Sequence, residues 1–159
     1  MMIEHQIFNV EKQDYLHLIK IWEESVQATH DFLSHKEINE LKPLILNNYF
    51  DAVLLRCSKN IKGKIIGFIG VAEKKIEMLF ISPDAQGHGI GSALCQYAIK
   101  HLGATKVDVN EQNPRAREFY EKMGFNVVNR SEFDGQGKPY PILHMKWKRK
   151  FATNGVIPQ

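Results

Sequence analysis

Three glycines lie close together in a short turn that could bind an anion. The segment Gln86-Gly87-His88-Gly89-Ile90-Gly91 stands between a predicted strand over residues 76–81 and a predicted helix over residues 92–102. Glycine reaches positive φ without steric penalty, and the N-terminus of the following helix directs unpaired N–H groups and the positive end of its dipole into the same space. A phosphate or pyrophosphate is therefore the expected ligand.

Two kinds of cofactor could supply that phosphate. A dinucleotide fold requires G-x-G-x-x-G, and here Ser92 stands where the last glycine should be, although Asp108 lies near the expected position of a ribose-binding acid. That motif normally opens a βαβ unit early in a larger domain, whereas half of this chain precedes the loop. The dinucleotide interpretation is therefore the weaker one.

A second segment, residues 113–125, combines helix signals with a tyrosine that could donate a proton. Asn113 is a good N-cap, Pro114 suits the first helical position and Gly124 suits the residue that follows the helix. The apolar residues Ala116, Phe119, Tyr120 and Met123 recur at helical spacing. Tyr120 is thus either a packing residue of this helix or a functional one.

Together the two segments resemble the GNAT-type N-acetyltransferases. Gln86, Gly89 and Gly91 fit that family's Q/R-x-x-G-x-G/A loop, and residues 113–125 fit its N-x-x-A-x-x-F-Y-E-K-x-G-F segment, in the same order and at a matching separation. The resemblance is specific over residues 65–125. The segments His-Asp-Phe-Leu at 30–33 and Gly-Lys-Pro-Tyr-Pro at 137–141 are similar to those of a small bacterial subgroup.

The rest of the chain predicts an α/β domain with the element order βααβββαβαββ. Ser34 and Glu37 form a capping box that opens the second helix, and Pro43 predicts a kink in it. Strands are predicted over residues 3–10, 52–58, 64–71, 76–81, 106–110, 127–133 and 144–149. The resemblance implies a mixed, mostly antiparallel sheet of about seven strands, flanked by about four helices, with the central strands splayed. Residues 1–150 are expected to form one domain and residues 151–159 a loose tail.

The resemblance implies that acetyl-CoA donates its acetyl group directly to an amine bound beside it. Tyr120 is the expected acid, because a phenol with a pKa of about 10 stays protonated at neutral pH. Glu77 and Asp108 are the candidate bases, and His30 could act from the acceptor side. The expected cofactor-binding residues are Leu79, Phe80, Ile81, Gln86, Gly87, His88, Gly89, Ile90, Gly91, Ser92, Asn113 and Tyr120. The expected acceptor-binding residues are His30, Asp31, Phe32 and Tyr140.

Composition excludes several other classes of function. The 159 residues carry a formal charge of +3 with acids and bases mixed along the chain, so neither a nucleic-acid nor a membrane partner is indicated. Cys57 and Cys95 have no Cys or His neighbour at metal-ligand spacing, which predicts reduced core cysteines and no metal site. The N-terminal residues do not resemble a signal peptide, and we expect a cytoplasmic protein. Homodimers are common in folds of this type, but no segment is typical of an interface.

Three functions are compatible with these patterns. The first is an N-acetyltransferase acting on a small-molecule or peptide amine. The second is a non-catalytic module that binds or senses acetyl-CoA, and the third is a nicotinamide-dependent oxidoreductase that uses the glycine loop differently.

Overall fold

A computed structural model describes residues 6–29 and 33–148 of the chain. The elements follow the predicted order, βααβββαβαββ. They are β1 (Ile7–Asn9), α1 (Tyr15–Thr29), α2 (His35–Leu44), β2 (Leu54–Lys59), β3 (Ile65–Ala72), β4 (Lys75–Ile81), α3 (Ile90–His101), β5 (Lys106–Asn110), α4 (Pro114–Lys122), β6 (Phe125–Ser131) and β7 (Ile142–Trp147).

The seven strands form one mixed sheet in the order β1-β2-β3-β4-β5-β7-β6, which confirms the predicted fold class. All neighbouring strands are antiparallel except β4 and β5, which are parallel. That parallel pairing extends over only two residue pairs, Lys75 with Lys106 and Ile76 with Val107. Beyond these pairs the two strands separate, so a cleft opens in the middle of the sheet.

A β-bulge lies at the point where this cleft begins. The adjacent residues Gly70 and Val71 of β3 pair with Met78 and Ile76 of β4, so Glu77 is an extra residue on β4. A bulge bends its strand and changes the direction of the backbone groups beside it. The edge of β4 that faces β5 is therefore both unpaired and bent from Glu77 onward.

Two hydrophobic clusters pack on the two faces of the sheet. One joins α3 and α4 to side chains such as Ile76, Val107 and Met145. The other joins α1 and α2 to side chains such as Cys57 and Phe68. Cys57 and Cys95 are both buried and unpaired by disulfide, as predicted.

Local sequence signals place two helix starts where they were expected. Ser34 Oγ accepts a hydrogen bond from the Glu37 N–H (3.2 Å) while the Ser34 N–H donates to the Glu37 carboxylate (3.3 Å), which confirms the capping box. Asn113 Oδ1 accepts a hydrogen bond from the Ala116 N–H at 3.1 Å, so Asn113 is the N-cap of α4.

Other boundaries differ from the prediction. Helix α2 continues through Pro43 to Leu44, and its hydrogen-bonding pattern changes to a π-helical turn only at Ile45–Tyr49. Strands β6 and β7 each begin and end two residues earlier than predicted. Helix α3 begins at Ile90, so the last residues of the glycine loop are its first turn. In the part of the chain that the structure describes, no helix has the length and apolar character needed to cross a membrane.

Candidate functional site

The glycine loop forms an open cradle at the start of α3. Gly87 has φ +82° and Gly89 has φ +78°, conformations that strongly favour glycine. Gly89 is the N-cap residue and provides no side-chain cap, and the first intrahelical bond runs from the Ala93 N–H to the Gly89 carbonyl. The N–H groups of Ile90, Gly91 and Ser92 therefore have no helical acceptor, which fits an anionic phosphate ligand.

A fourth glycine, Gly67, lies where the glycine loop and the start of α3 pack on the sheet. A Cβ atom added to Gly67 of β3 would lie 2.8 Å from Ile81 Cδ1 and 3.2 Å from Ile90 Cγ2. The end of β4 and the first residue of α3 thus meet over this position, and a larger residue would require the Ile81 side chain to move. Ile90 is 3% exposed as a whole residue and its side chain belongs to the core, so any contact with a ligand would be through its backbone.

The carbonyl of Ile81, the last residue of β4, accepts hydrogen bonds from both α1 and the glycine loop. Ser25 Oγ of α1 donates to the Ile81 carbonyl at 3.0 Å, and Gln86 Nε2 of the loop donates to the same atom at 3.3 Å. Ser25 is buried whereas Gln86 is exposed. The glycine loop and α1 are therefore fastened to one point of the sheet.

The exposed edge of β4 presents backbone rather than side chains to the cleft. Leu79 and Ile81 pack against the α3–α4 cluster, while Phe80 packs against the α1–α2 cluster. All three side chains serve the core. That residues 79–81 contact a ligand through N–H and carbonyl groups, in the manner of an added strand, stays a prediction.

Tyr120 lies in the core of the α3–α4 side with its ring packed between two phenylalanines. Its ring centroid is 5.0 Å from that of Phe119 and 5.6 Å from that of Phe125. Burial, and secondarily the nearby Cys95 thiol, raise the pKa of Tyr120 far above its usual value. The phenol therefore keeps its proton at any working pH. Among the described residues no side chain or carbonyl forms a hydrogen bond with its hydroxyl, which leaves that proton available to a ligand.

The two candidate carboxylates are in different environments. Glu77 is the exposed bulge residue at the mouth of the cleft. Asp108 forms an ion pair with Lys75 and a 2.7 Å hydrogen bond with His144 Nδ1. Burial raises the pKa of Asp108, but the hydrogen bonds from Lys75 and His144 outweigh burial, and the pKa is lower than usual. Asp108 thus carries a negative charge that is already shared with two partners.

A cavity of about 540 Å³ lies between α2 and the segment that joins β6 to β7. Tyr140, a predicted acceptor-binding residue, lines it, as does Asn110 at the end of β5. The acids Glu37, Glu40 and Asp134 and the leucines Leu33, Leu41 and Leu44 also contribute to its wall. The predicted acceptor residues His30, Asp31 and Phe32 lie outside the described residues.

Sequence reasoning missed three groups of residues at this site. They are Ser25, the acids Glu40 and Asp134, and the pair Ser131 and His144. The alternation of apolar Leu143 and Met145 with polar neighbours in β7 was a signal that His144 faces away from the core. The others come together only through tertiary packing.

The topology of the sheet bears on the nicotinamide-dependent alternative. A dinucleotide fold places its glycine loop in a largely parallel, doubly wound sheet. Here only β4 and β5 are parallel, over two residue pairs. The glycine loop is therefore not part of a doubly wound dinucleotide-binding sheet.

Comparison with known proteins points to one family. The family described as acetyltransferase (GNAT) domain matches residues 20–149. The peptidyl-lysine N-acetyltransferase YjaB of Salmonella typhimurium is 41% identical over 128 residues, which cover 80% of this chain and 88% of that protein. The solution structure of apo-form YjaB from Escherichia coli has a TM-score of 0.79 and 36% identity, covering 91% of this chain and 98% of that one. The structure of PaiA N-acetyltransferase from Thermoplasma acidophilum in complex with coenzyme A shares the fold (TM-score 0.68, 22% identity, 91% and 100% coverage).

Proposed function

Because the chain belongs to the GNAT family of acetyltransferases, we propose that it transfers an acetyl group from acetyl-CoA to the side-chain amine of a lysine within a peptide. Acetyl transfer from acetyl-CoA to an amine is the reaction of the family. The lysine acceptor is supported by the relatives named as peptidyl-lysine N-acetyltransferases. It is supported independently by the chemistry of the cavity beside α2.

The acidic cavity is the observation that carries the proposal for the acceptor. Lysine has an apolar stem and a cationic tip, so its binding site needs both kinds of surface. The leucines of α2 offer an apolar wall, and Glu37, Glu40 and Asp134 offer negative charge. Lys138 also lines the cavity, but its charge is paired with Glu37 at 3.4 Å. The remaining carboxylates favour a cationic amine.

The glycine loop and the β4 edge together would hold acetyl-CoA. The uncapped N–H groups of Ile90, Gly91 and Ser92 would bind the pyrophosphate, and the exposed loop residues Gln86, Gly87 and His88 would surround it. The unpaired backbone of residues 79–81 would pair with the amides of the pantetheine arm. Asn113 uses its Oδ1 atom to cap α4, which leaves its amide N–H groups to donate to the same arm.

The chain's own groups would perform the proton and charge chemistry. Bound acetyl-CoA supplies an acetyl group activated as a thioester. Backbone N–H groups of the bent β4 edge would donate to the thioester oxygen as negative charge develops there. Tyr120 would give its proton to the leaving thiolate, since its buried phenol stays protonated. Glu77 and Asp108 lie at the start of the cleft, and they are candidates for removing the proton of the amine.

A thiol-release assay across acceptor classes tests the proposal. The acceptors are peptides with a blocked N-terminus and a single lysine, the same peptides with arginine in its place, free amino acids, a polyamine and an aminoglycoside. We expect turnover with the lysine peptides and none with the arginine peptides. Turnover confined to a small amine would overturn the lysine assignment. If none of these acceptors produced thiol release, the non-catalytic alternative would be favoured instead.

A substitution in the cavity provides a second test. Glu40→Gln removes one negative charge without disturbing the capping box of α2. Since an exposed ion pair contributes about 0.2–1 kcal/mol, KM for the lysine peptide should rise by roughly 1.5- to 5-fold. Glu24→Gln, an equivalent change at an exposed position of α1, is the matched control and should leave KM unchanged. An equal effect of the two substitutions would place the acceptor elsewhere.

A further inference from the structure

Three polar side chains form a continuous chain of hydrogen bonds across β5, β7 and β6. Asp108 Oδ1 lies 2.7 Å from His144 Nδ1, and His144 Nε2 lies 2.7 Å from Ser131 Oγ. On its other side, Asp108 forms an ion pair with Lys75 of β4. A carboxylate that accepts from one ring nitrogen fixes the tautomer in which the other nitrogen can accept a proton. The arrangement therefore orients Nε2 toward the serine hydroxyl.

The register of the sheet relates this chain of side chains to two cavities: one end lines the second cavity, and the other shares a row with a residue of the acidic cavity. Asp108 pairs with His144, whereas Asn110 and Ser131 both pair with Ile142, two residues further along. Asn110 lines the acidic cavity beside α2. Asp108 and His144 instead line a second cavity, of about 440 Å³, which also contacts Glu77. Ser131 therefore lies in the same register row as Asn110, and His144 lies two residues further along β7.

We propose that Ser131 and His144 form a relay that removes the proton of the acceptor amine, with Asp108 and Lys75 as positioning residues. The proposal rests on the proposed function, because a lysine ammonium with a pKa of about 10.4 must lose a proton before it can attack a thioester. One N–H proton of the ammonium passes to Ser131 Oγ, and the hydroxyl proton of Ser131 passes to His144 Nε2. The amine becomes neutral, the serine is regenerated and the histidine becomes an imidazolium.

The charged groups around His144 suit a proton that is taken up and then released. Asp108 stabilises the imidazolium through Nδ1, and the ion pair with Lys75 keeps that carboxylate in place. The other charged residues that line the second cavity are Glu73, Lys75 and Glu77 of the β3–β4 side, Lys106 of β5 and Lys146 of β7. These five residues comprise two carboxylates and three amines. The His144 side chain is 34% exposed, which gives the proton a route to solvent.

The test compares pH profiles of three variants under saturating acetyl-CoA. His144→Gln and Ser131→Ala should each lower kcat with a lysine peptide by roughly 10²-fold at neutral pH. The loss should shrink as the pH approaches 10, because the lysine amine then deprotonates without help. Asp108→Asn should lower kcat less and shift the acidic limb of the profile. His17→Gln, an exposed histidine on α1, is the control and should behave like the wild type.

Two further measurements distinguish a proton relay from a purely structural role of the same residues. In His144→Gln, the dissociation constant of acetyl-CoA measured by calorimetry and the thermal unfolding midpoint should both be unchanged. These results would show that the variant is folded and binds its cosubstrate. Full kcat in Ser131→Ala or in His144→Gln at neutral pH would overturn the relay while leaving the lysine acceptor intact. A wild-type protein that acetylates no lysine peptide would instead refute the proposed function itself.

Discussion

Gly87→Ala separates the conformational role of the glycine loop from its role in binding. Gly87 has φ +82°, and a Cβ atom built on it meets no atom within 4 Å. The substitution thus introduces backbone strain of about 1–2 kcal/mol and no clash within the protein. The sequence contains a matched position, Gly63, with the same φ and the same open surroundings, in the turn between β2 and β3.

The two glycines differ in how firmly their turns are held. The Gly63 N–H donates to the Asn60 carbonyl at 2.9 Å, and Asn60 Oδ1 accepts from the N–H groups of Lys62 and Lys64. Strain introduced by Gly63→Ala therefore remains in the folded protein and lowers the free energy of unfolding by about 1–2 kcal/mol. For the exposed Gly87 we expect part of the strain to be relieved in the free protein and restored when acetyl-CoA binds at the proposed site.

We expect the strain energy to appear mainly as weaker acetyl-CoA binding for Gly87→Ala and as a lower free energy of unfolding for Gly63→Ala. For Gly87→Ala, the dissociation constant of acetyl-CoA should rise by roughly 5- to 30-fold, since about 1.4 kcal/mol corresponds to a factor of ten. The loss of unfolding free energy in urea should be smaller than for Gly63→Ala. Gly63→Ala should leave the dissociation constant unchanged. If Gly87→Ala binds acetyl-CoA with wild-type affinity in calorimetry, the loop does not hold the pyrophosphate and the assignment of the cradle is refuted.

Two other predictions concern single side chains. Tyr120→Phe should lower kcat by roughly 10²-fold or more while leaving acetyl-CoA affinity unchanged, because the hydroxyl is the proposed proton donor and forms no hydrogen bond with the described residues. Full turnover with bound acetyl-CoA would remove Tyr120 from the acid role. The second concerns Asp108, whose pKa is lowered in the folded state, so its contribution to stability is complete above its unfolded pKa of about 3.9 and is lost as the pH falls through its folded pKa. The difference in unfolding free energy between the wild type and Asp108→Asn should therefore be larger at pH 7 than at pH 3, and a difference that does not change with pH would contradict the ion pair with Lys75.

Local chemistry explains which parts of the fold could be predicted from the sequence. The caps at Ser34 and Asn113 depend on residues three positions apart, and the glycine loop depends on the backbone freedom of its own residues. Each of these features is complete within a few residues of the chain. The predicted element order and the position of Tyr120 on the apolar face of α4 follow from signals of the same kind.

Features that depend on distant residues could not be predicted. The bulge at Glu77 exists because β3 and β4 pair with a shift, and the sequence of β4 alone contains no sign of it. The end of β7 depends on Trp147, whose Nε1 donates to the Met123 carbonyl at 3.2 Å and whose ring closely approaches Gly124. The hydrogen bonds from Asp108 to Ser131 likewise require the pairing of three strands. Only the fold brings such residues together.

The Ile81 carbonyl has two hydrogen-bond donors, so it does not depend on Gln86 alone. A part-buried carbonyl that loses all its hydrogen bonds destabilises a protein, and this would oppose movement of Gln86 if Gln86 were its sole donor. Ser25 keeps its 3.0 Å hydrogen bond to the same oxygen whatever Gln86 does. If Gln86 turned toward a bound phosphate, as the proposed function requires, the Ile81 carbonyl would still have a hydrogen-bond donor.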